Sequence, residues 1–327
     1  MRIGRFLLER MQKQLEDILV YHNVFVFILV NLNIMNRKRE TKESKFGSYY
    51  TVPFSRNRDI VVDFISIGKK SLKVYAIGDI DVTYPLMKIK ELKEKGIKLS
   101  FSAYLTYVFA RTVAEHPYMQ AIKWRRRRMV IFEDVDVFFL VEREVKGKKI
   151  PTSVLMRKAN EKTIQEITDV IWGTKTIKDD SMVDKEGASA TDKLLKMPGF
   201  LRRFLFERIF KNPFLRRQFA GTIGITSVGM YAGGGGTSIP IAVENLSINV
   251  GGIEKRPGYL IKEDGEVDIE QIIPRDYLWI TFNIDHTTVD GGPITRFLAI
   301  FRDRVRLGYG LDEVEPKKKE KKKAKET

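Results

Sequence analysis

Histidine is scarce in this chain: His22, His116 and His286 are its only three. The last lies in the segment Asp285-His286-Thr287-Thr288-Val289-Asp290-Gly291-Gly292-Pro293. Imidazole changes protonation state near neutral pH, which makes His286 a candidate general base. Asp290, four residues on, can cap the helix that follows, accept a salt bridge from a basic residue, or do both. Gly291 and Gly292 permit a tight turn that a side chain would obstruct. On chemistry alone the signal is modest, because a lone histidine beside a helix start is more often a satisfied structural residue.

The elements that would have to hold these groups follow from the hydrophobic pattern. Residues 277–285 read as a strand delivering His286 to a loop, and 293–307 as an amphipathic helix with a proline in its first turn. Upstream, β-branched and aromatic runs predict strands over 60–67, 72–82 and 150–156, and a strand pair over 129–131 and 135–145. Helices are expected over 84–95, ended by Gly96, over 100–116, apolar on nearly every face, and over 163–172. Residues 194–219 mix Leu and Phe with Arg202, Arg203, Arg208, Lys211, Arg216 and Arg217, and read as two short basic helices hinged at Asn212-Pro213. They either pack on their own domain or dock on a membrane or partner. Strands resume over 222–226 and 238–250, with Gly233 to Gly236 between them. The whole is an α/β pattern.

Composition narrows the chemistry. The 327 residues contain no cysteine, which excludes disulfides, thiolate metal sites and a cysteine nucleophile. With three distant histidines the chain reads as metal-free. The net charge of +16 is concentrated. Residues 316–327 carry seven lysines against two glutamates, and Arg125 to Arg128 form a second cluster at an expected hairpin tip. That concentration argues against a nucleic-acid-binding surface and for a solvated Lys-rich tail over 313–327, with weak membrane-surface association as its functional alternative. Residues 1–46 read as an N-terminal extension, either a surface helix or residues ahead of a natural start at Met35. Residues 47–312 read as one domain, the candidate catalytic domain if His286 is a base. Neither a clear membrane span nor a signal-peptide cleavage site is legible, so a cytoplasmic location is expected.

The order strand, His286-x-x-x-Asp290-Gly291, helix resembles the active-site signature of dihydrolipoamide acyltransferases and chloramphenicol acetyltransferases, the catalytic-domain family of 2-oxoacid dehydrogenase complexes. Residues 221–229, Gly-Thr-Ile-Gly-Ile-Thr-Ser-Val-Gly, are similar to that family's Gly-Thr-Phe-Thr-Ile-Ser-Asn-Val-Gly strand. Together with residues 74–83 and 101–121, the resemblance runs over roughly 50–310. It implies a chloramphenicol acetyltransferase-like two-layer α/β sandwich with a mixed sheet, assembled as a homotrimer or a higher assembly of trimers. It implies acyl transfer between coenzyme A, a substrate rather than a bound cofactor, and a thiol or other small acceptor. His286 would be the base, Thr226 the hydroxyl that stabilises the oxyanion, and Asp290 an organiser. Ser227 is the alternative to Thr226 if the strand register differs by one. The base and the hydroxyl would meet across a subunit boundary. His116 falls at a helix end and reads as structural. No lipoyl domain is legible, so no lipoyl group is expected on this chain and a dihydrolipoyl acceptor would come from a lipoyl-carrying protein in trans. The competing reading is a non-catalytic scaffold or membrane-surface protein on the same fold.

Overall fold

The computed structural model describes residues 41–54, 56–145, 148–176, 196–227, 234–261 and 266–314. Most of the N-terminal extension, nearly all of the Lys-rich tail and Gly233 lie outside them. The described chain forms β1 (Lys42–Ser44), β2 (Gly47–Tyr49), α1 (Arg56–Gly68), β3 (Lys73–Asp81), α2 (Thr83–Glu94), α3 (Phe101–Glu115), β4 (Ile122–Trp124), β5 (Arg128–Val130), β6 (Val137–Val145) and β7 (Lys148–Met156). There follow α4 (Ile164–Thr176), α5 (Gly199–Lys211), α6 (Pro213–Ala220), β8 (Ile223–Ser227), β9 (Leu246–Ile261), β10 (Val267–Asp285) and α7 (Gly291–Arg306).

One six-stranded sheet organises the domain, in the order β3-β10-β9-β8-β6-β7. β8 runs parallel to both its neighbours and the remaining pairs are antiparallel, so the sheet is mixed. Strand alternation gives the sheet two chemically different faces. Leu278, Ile280, Phe282 and Ile284 of β10, with Leu246, Ile248, Ile223, Ile225, Val137 and Phe139, make one apolar face. α2, α3, α4 and α7 bury that face, and Phe109, Phe282, Phe297 and Phe301 meet there edge to face. Buried Tyr104 ties α3 to α7 by donating to the Val305 carbonyl at 2.8 Å. The opposite face carries Gly224, Thr226, Ser247, Asn249, Thr281 and Asn283, and α1, α5 and α6 cover it beside β6 and β8.

Three expected elements differ. Residues 60–67 are helical in α1, not a strand; the β-branched run misleads, while Val61, Phe64 and Ile65 have the 3–4 spacing of a helix face. Residues 129–131 do not pair with 135–145: β5 closes a separate hairpin with β4, and β6 pairs with β7 and β8. Residues 238–245 have no regular strand, and β9 begins only at Leu246.

The hinge at Asn212-Pro213 is as expected, with the Asn212 side chain accepting from the Phe214 and Leu215 amides at the start of α6. Half of the basic residues named for this segment are turned inward, while Arg203, Arg208 and Lys211 are exposed. Arg202 forms a buried ion pair with Asp63 of α1, and Arg217 binds Asp134 and Asp136 at 2.9 and 2.7 Å. Arg125 to Arg128 sit at the β4–β5 tip, where Arg125 has a left-handed φ of 56° and lies over the Trp124 ring. No helix among the described residues is long and apolar enough to cross a membrane.

Candidate active site

β10 is the central support. Its last residues extend the ladder on both sides: Asp285 N–H donates to Asn245 O at 2.7 Å, and His286 N–H donates to Leu72 O at 2.8 Å. The His286 backbone is therefore pinned while its ring remains exposed. Asp285 orders the loop through its carboxylate, which accepts the Thr287 amide at 2.9 Å. Asp290 stands at the N-cap position of α7, but its side chain makes no capping hydrogen bond and forms no ion pair among the described residues. The expected capping or salt-bridge role is thus corrected within the protomer: the loop is fixed by Asp285 and by the backbone bond from Ile294 to Asp290 O at 3.2 Å. Extended backbone at Asp290 (φ −87°, ψ 165°) leaves the carboxylate exposed on the same surface as the imidazole.

Behind this loop is a charged cluster that the sequence did not disclose. Lys73 pairs in register with Asp285, and its ammonium donates to the Glu244 carbonyl. Burial pulls Lys73 down to about 8, against the raising effect of Glu244 and Asp285 and with the help of Arg216. Buried Arg216, from α6, donates to the Val243 carbonyl. Desolvation lowers its pKa while Glu244 and Asp285 oppose the shift.

Thr226 lies near the end of β8, half-buried, and its hydroxyl donates to Asn249 Oδ1 on β9 at 2.8 Å. Asn249 Nδ2 in turn donates to Thr237 Oγ1, Ser238 O and Ser238 Oγ at 3.0–3.1 Å, and Thr237 Oγ1 lies 3.1 Å from Thr281 Oγ1. The carbonyl of Ser238 can only accept, which fixes the orientation of the amide. Ser227, next in the strand, turns to the opposite face. Thr226 also borders an apolar cavity of about 200 Å³ under α1, α5 and α6.

One protomer does not bring His286 and Thr226 together. Thr226 is level with Asn249, which is level with Thr281, and His286 lies five residues further along β10. At about 3.3 Å per residue and about 4.8 Å per strand, the two are on the order of 19 Å apart.

No family model matches the sequence, and no curated protein matches it. Among solved structures, the cubic core of the pyruvate dehydrogenase multienzyme complex matches with a TM-score of 0.53 at 17% identity, over 80% of this chain and 93% of that one. A probable dihydrolipoamide acetyltransferase from Listeria monocytogenes matches at 0.53 and 18%, over 80% and 95%. The dihydrolipoamide acetyltransferase of Azotobacter vinelandii matches at 0.51 and 16%, over 80% and 93%; the roles of a serine, a histidine and an asparagine in its catalytic mechanism have been investigated. The chain has the acyltransferase-core fold. Within it, His116 packs its ring against Tyr118 and Phe297, in keeping with a structural residue. Among the described residues no cluster of three or more His, Asp or Glu is placed to hold a metal.

Three positions in this acyltransferase-core fold carry no signal in the sequence. Asn249 is a polar residue in a strand, a pattern that ordinarily marks a solvent face, yet it is fully buried. Lys73 and Glu244 gave no signal because neither has a local partner in sequence.

Proposed function

We propose that the chain is a CoA-dependent acyltransferase in which His286 of one protomer acts with Thr226 of another. The observation that carries this reading is a pinned, exposed histidine and a held hydroxyl on one sheet, on the order of 19 Å apart and so too distant to act together within one protomer. The serine and histidine of the Azotobacter protein support the same pairing of roles, and the assembled core of the pyruvate dehydrogenase complex supports an oligomer, here a homotrimer or an assembly of trimers.

Neutral His286 takes the proton of an acceptor thiol or hydroxyl as that atom attacks the thioester carbonyl of an acyl-CoA. The carbonyl becomes an oxyanion, and Thr226 turns its single O–H from Asn249 toward it. The attack makes the acceptor–carbon bond; collapse of the tetrahedral intermediate restores the carbonyl, breaks the carbon–sulfur bond to CoA, and returns the proton from His286 to the departing CoA sulfur. Ser227, on the far face of the strand, takes no part. Asp290, exposed beside His286, serves as an organiser through a contact supplied by the neighbouring protomer or the substrate. Dihydrolipoyl groups on a separate protein are the favoured acceptor. A non-catalytic scaffold would need neither a hydroxyl held at Thr226 nor a pinned His286.

The test is complementation. His286→Ala and Thr226→Val, each inactive with acetyl-CoA and dihydrolipoamide, are co-expressed. Random mixing should restore about a quarter of the sites, those drawing His286 from one variant and Thr226 from the other. No recovery in demonstrably mixed oligomers would refute the shared site, and activity surviving His286→Ala would refute the base.

A further inference from the structure

The apolar cavity beside Thr226 is built by elements from across the chain: Val61, Phe64 and Ile65 of α1, Phe210 of α5, Phe219 and Ala220 of α6, Phe138 and Leu140 of β6, and the 240–244 loop. Among the described residues, Glu244 is the one charged side chain on its wall. Lys73 and Arg216 stand behind that residue, each coupled electrostatically to it. Gly224 lets the Glu244 side chain lie against the sheet, since a Cβ at that position would meet it at 3.0 Å. The cavity opens to solvent and its lining is almost wholly apolar, which suits an apolar ligand group.

We infer that this cavity receives the hydrocarbon chain of a medium-length acyl group, making the donor a fatty acyl thioester rather than acetyl-CoA. The inference rests on the acyl-transfer reading above. A carbonyl carbon held within hydrogen-bond reach of Thr226 has the cavity as its immediate neighbour, because Thr226 is part of the cavity wall. An apolar cavity of about 150 Å³ takes benzene, with its six carbons, so a volume of about 200 Å³ admits roughly eight. That fits a saturated chain of about eight carbons with its carbonyl at the threonine.

The experiment measures equilibrium binding of acetyl-, butanoyl-, hexanoyl-, octanoyl- and dodecanoyl-CoA to the full chain by calorimetry, with transfer to dihydrolipoamide followed in parallel. Affinity should rise about fourfold per added methylene and level off near eight carbons. Ala242→Phe, which fills the cavity from the loop, should return octanoyl-CoA to the affinity of acetyl-CoA and leave acetyl-CoA unchanged. Val61→Trp does the same from α1 if the first variant misfolds. A flat series in the wild-type protein, or a series that neither filler alters, overturns the inference. Transfer with a flat series leaves the acyltransferase reading standing alone; a chain-length series without His286-dependent transfer retains the cavity assignment and rejects the acyltransferase.

Discussion

Thr226 and Asn249 face each other across parallel strands, and the threonine gives its only hydroxyl proton to the Asn249 amide oxygen at 2.8 Å. The bond fixes the rotamer of the hydroxyl and also competes with the oxyanion for its proton. Thr226→Val should therefore lower kcat by about 10²–10³, the usual cost of one oxyanion donor, with Thr226→Ser largely active. Asn249→Leu should lower kcat as well, and should cost about 1–3 kcal/mol of stability by stranding Thr237 and Ser238. Steady-state kinetics with thermal melts separate the two effects; an Asn249→Leu protein with normal kcat would show that the threonine needs no support.

The Asp63–Arg202 pair clasps α5 to α1, and both partners are buried. Removing one leaves the other charge without compensation. Asp63→Ala should destabilise the protein by about 3–5 kcal/mol, whereas the double replacement Asp63→Leu with Arg202→Met should recover most of it. Urea unfolding of the three proteins decides; a single variant no less stable than the double would show that the charges are screened.

Lys73 titrates in a definite direction. Burial lowers it from the ordinary lysine value of 10.5 to about 8, so between those pH values the unfolded chain binds more protons than the folded one. The cost of holding the charged ammonium is present in full below pH 8 and disappears as pH rises toward 10.5. The melting temperature of the wild type, taken relative to Lys73→Met at each pH, should climb across that window. A constant difference would place the lysine in contact with water.

Much of the scaffold was legible because its signals are local. The helices at 83–94, 101–115 and 291–306 follow from apolar spacing, and Gly221, in the link that leads into β8, has a backbone at φ 67° where a Cβ would strike Asp136 O at 2.5 Å. α1 was misread because Val61, Val62 and Ile65 carry strand-like composition, while its helical period becomes decisive only against the cavity it covers. The candidate site was half legible: His286 stands out by type and setting, Asp290 by spacing, and Thr226 only through the resemblance of its strand to a known motif. Asn249, Lys73 and Glu244 act through partners on other strands and loops, which no pattern along the chain records.

The pairing of β10 with β3 sets the order in which the domain can form. Residues 73 and 285 are direct partners, and the His286 amide is held by Leu72, near the other end of the domain. Closing so long a segment is slow, and during synthesis β3 waits with an open edge until nearly the whole domain has left the ribosome. The loop bearing His286 is consequently ordered only when translation of the domain is almost over, so a chain that ends ahead of β10 lacks this strand, the core helix α7 and a placed imidazole together.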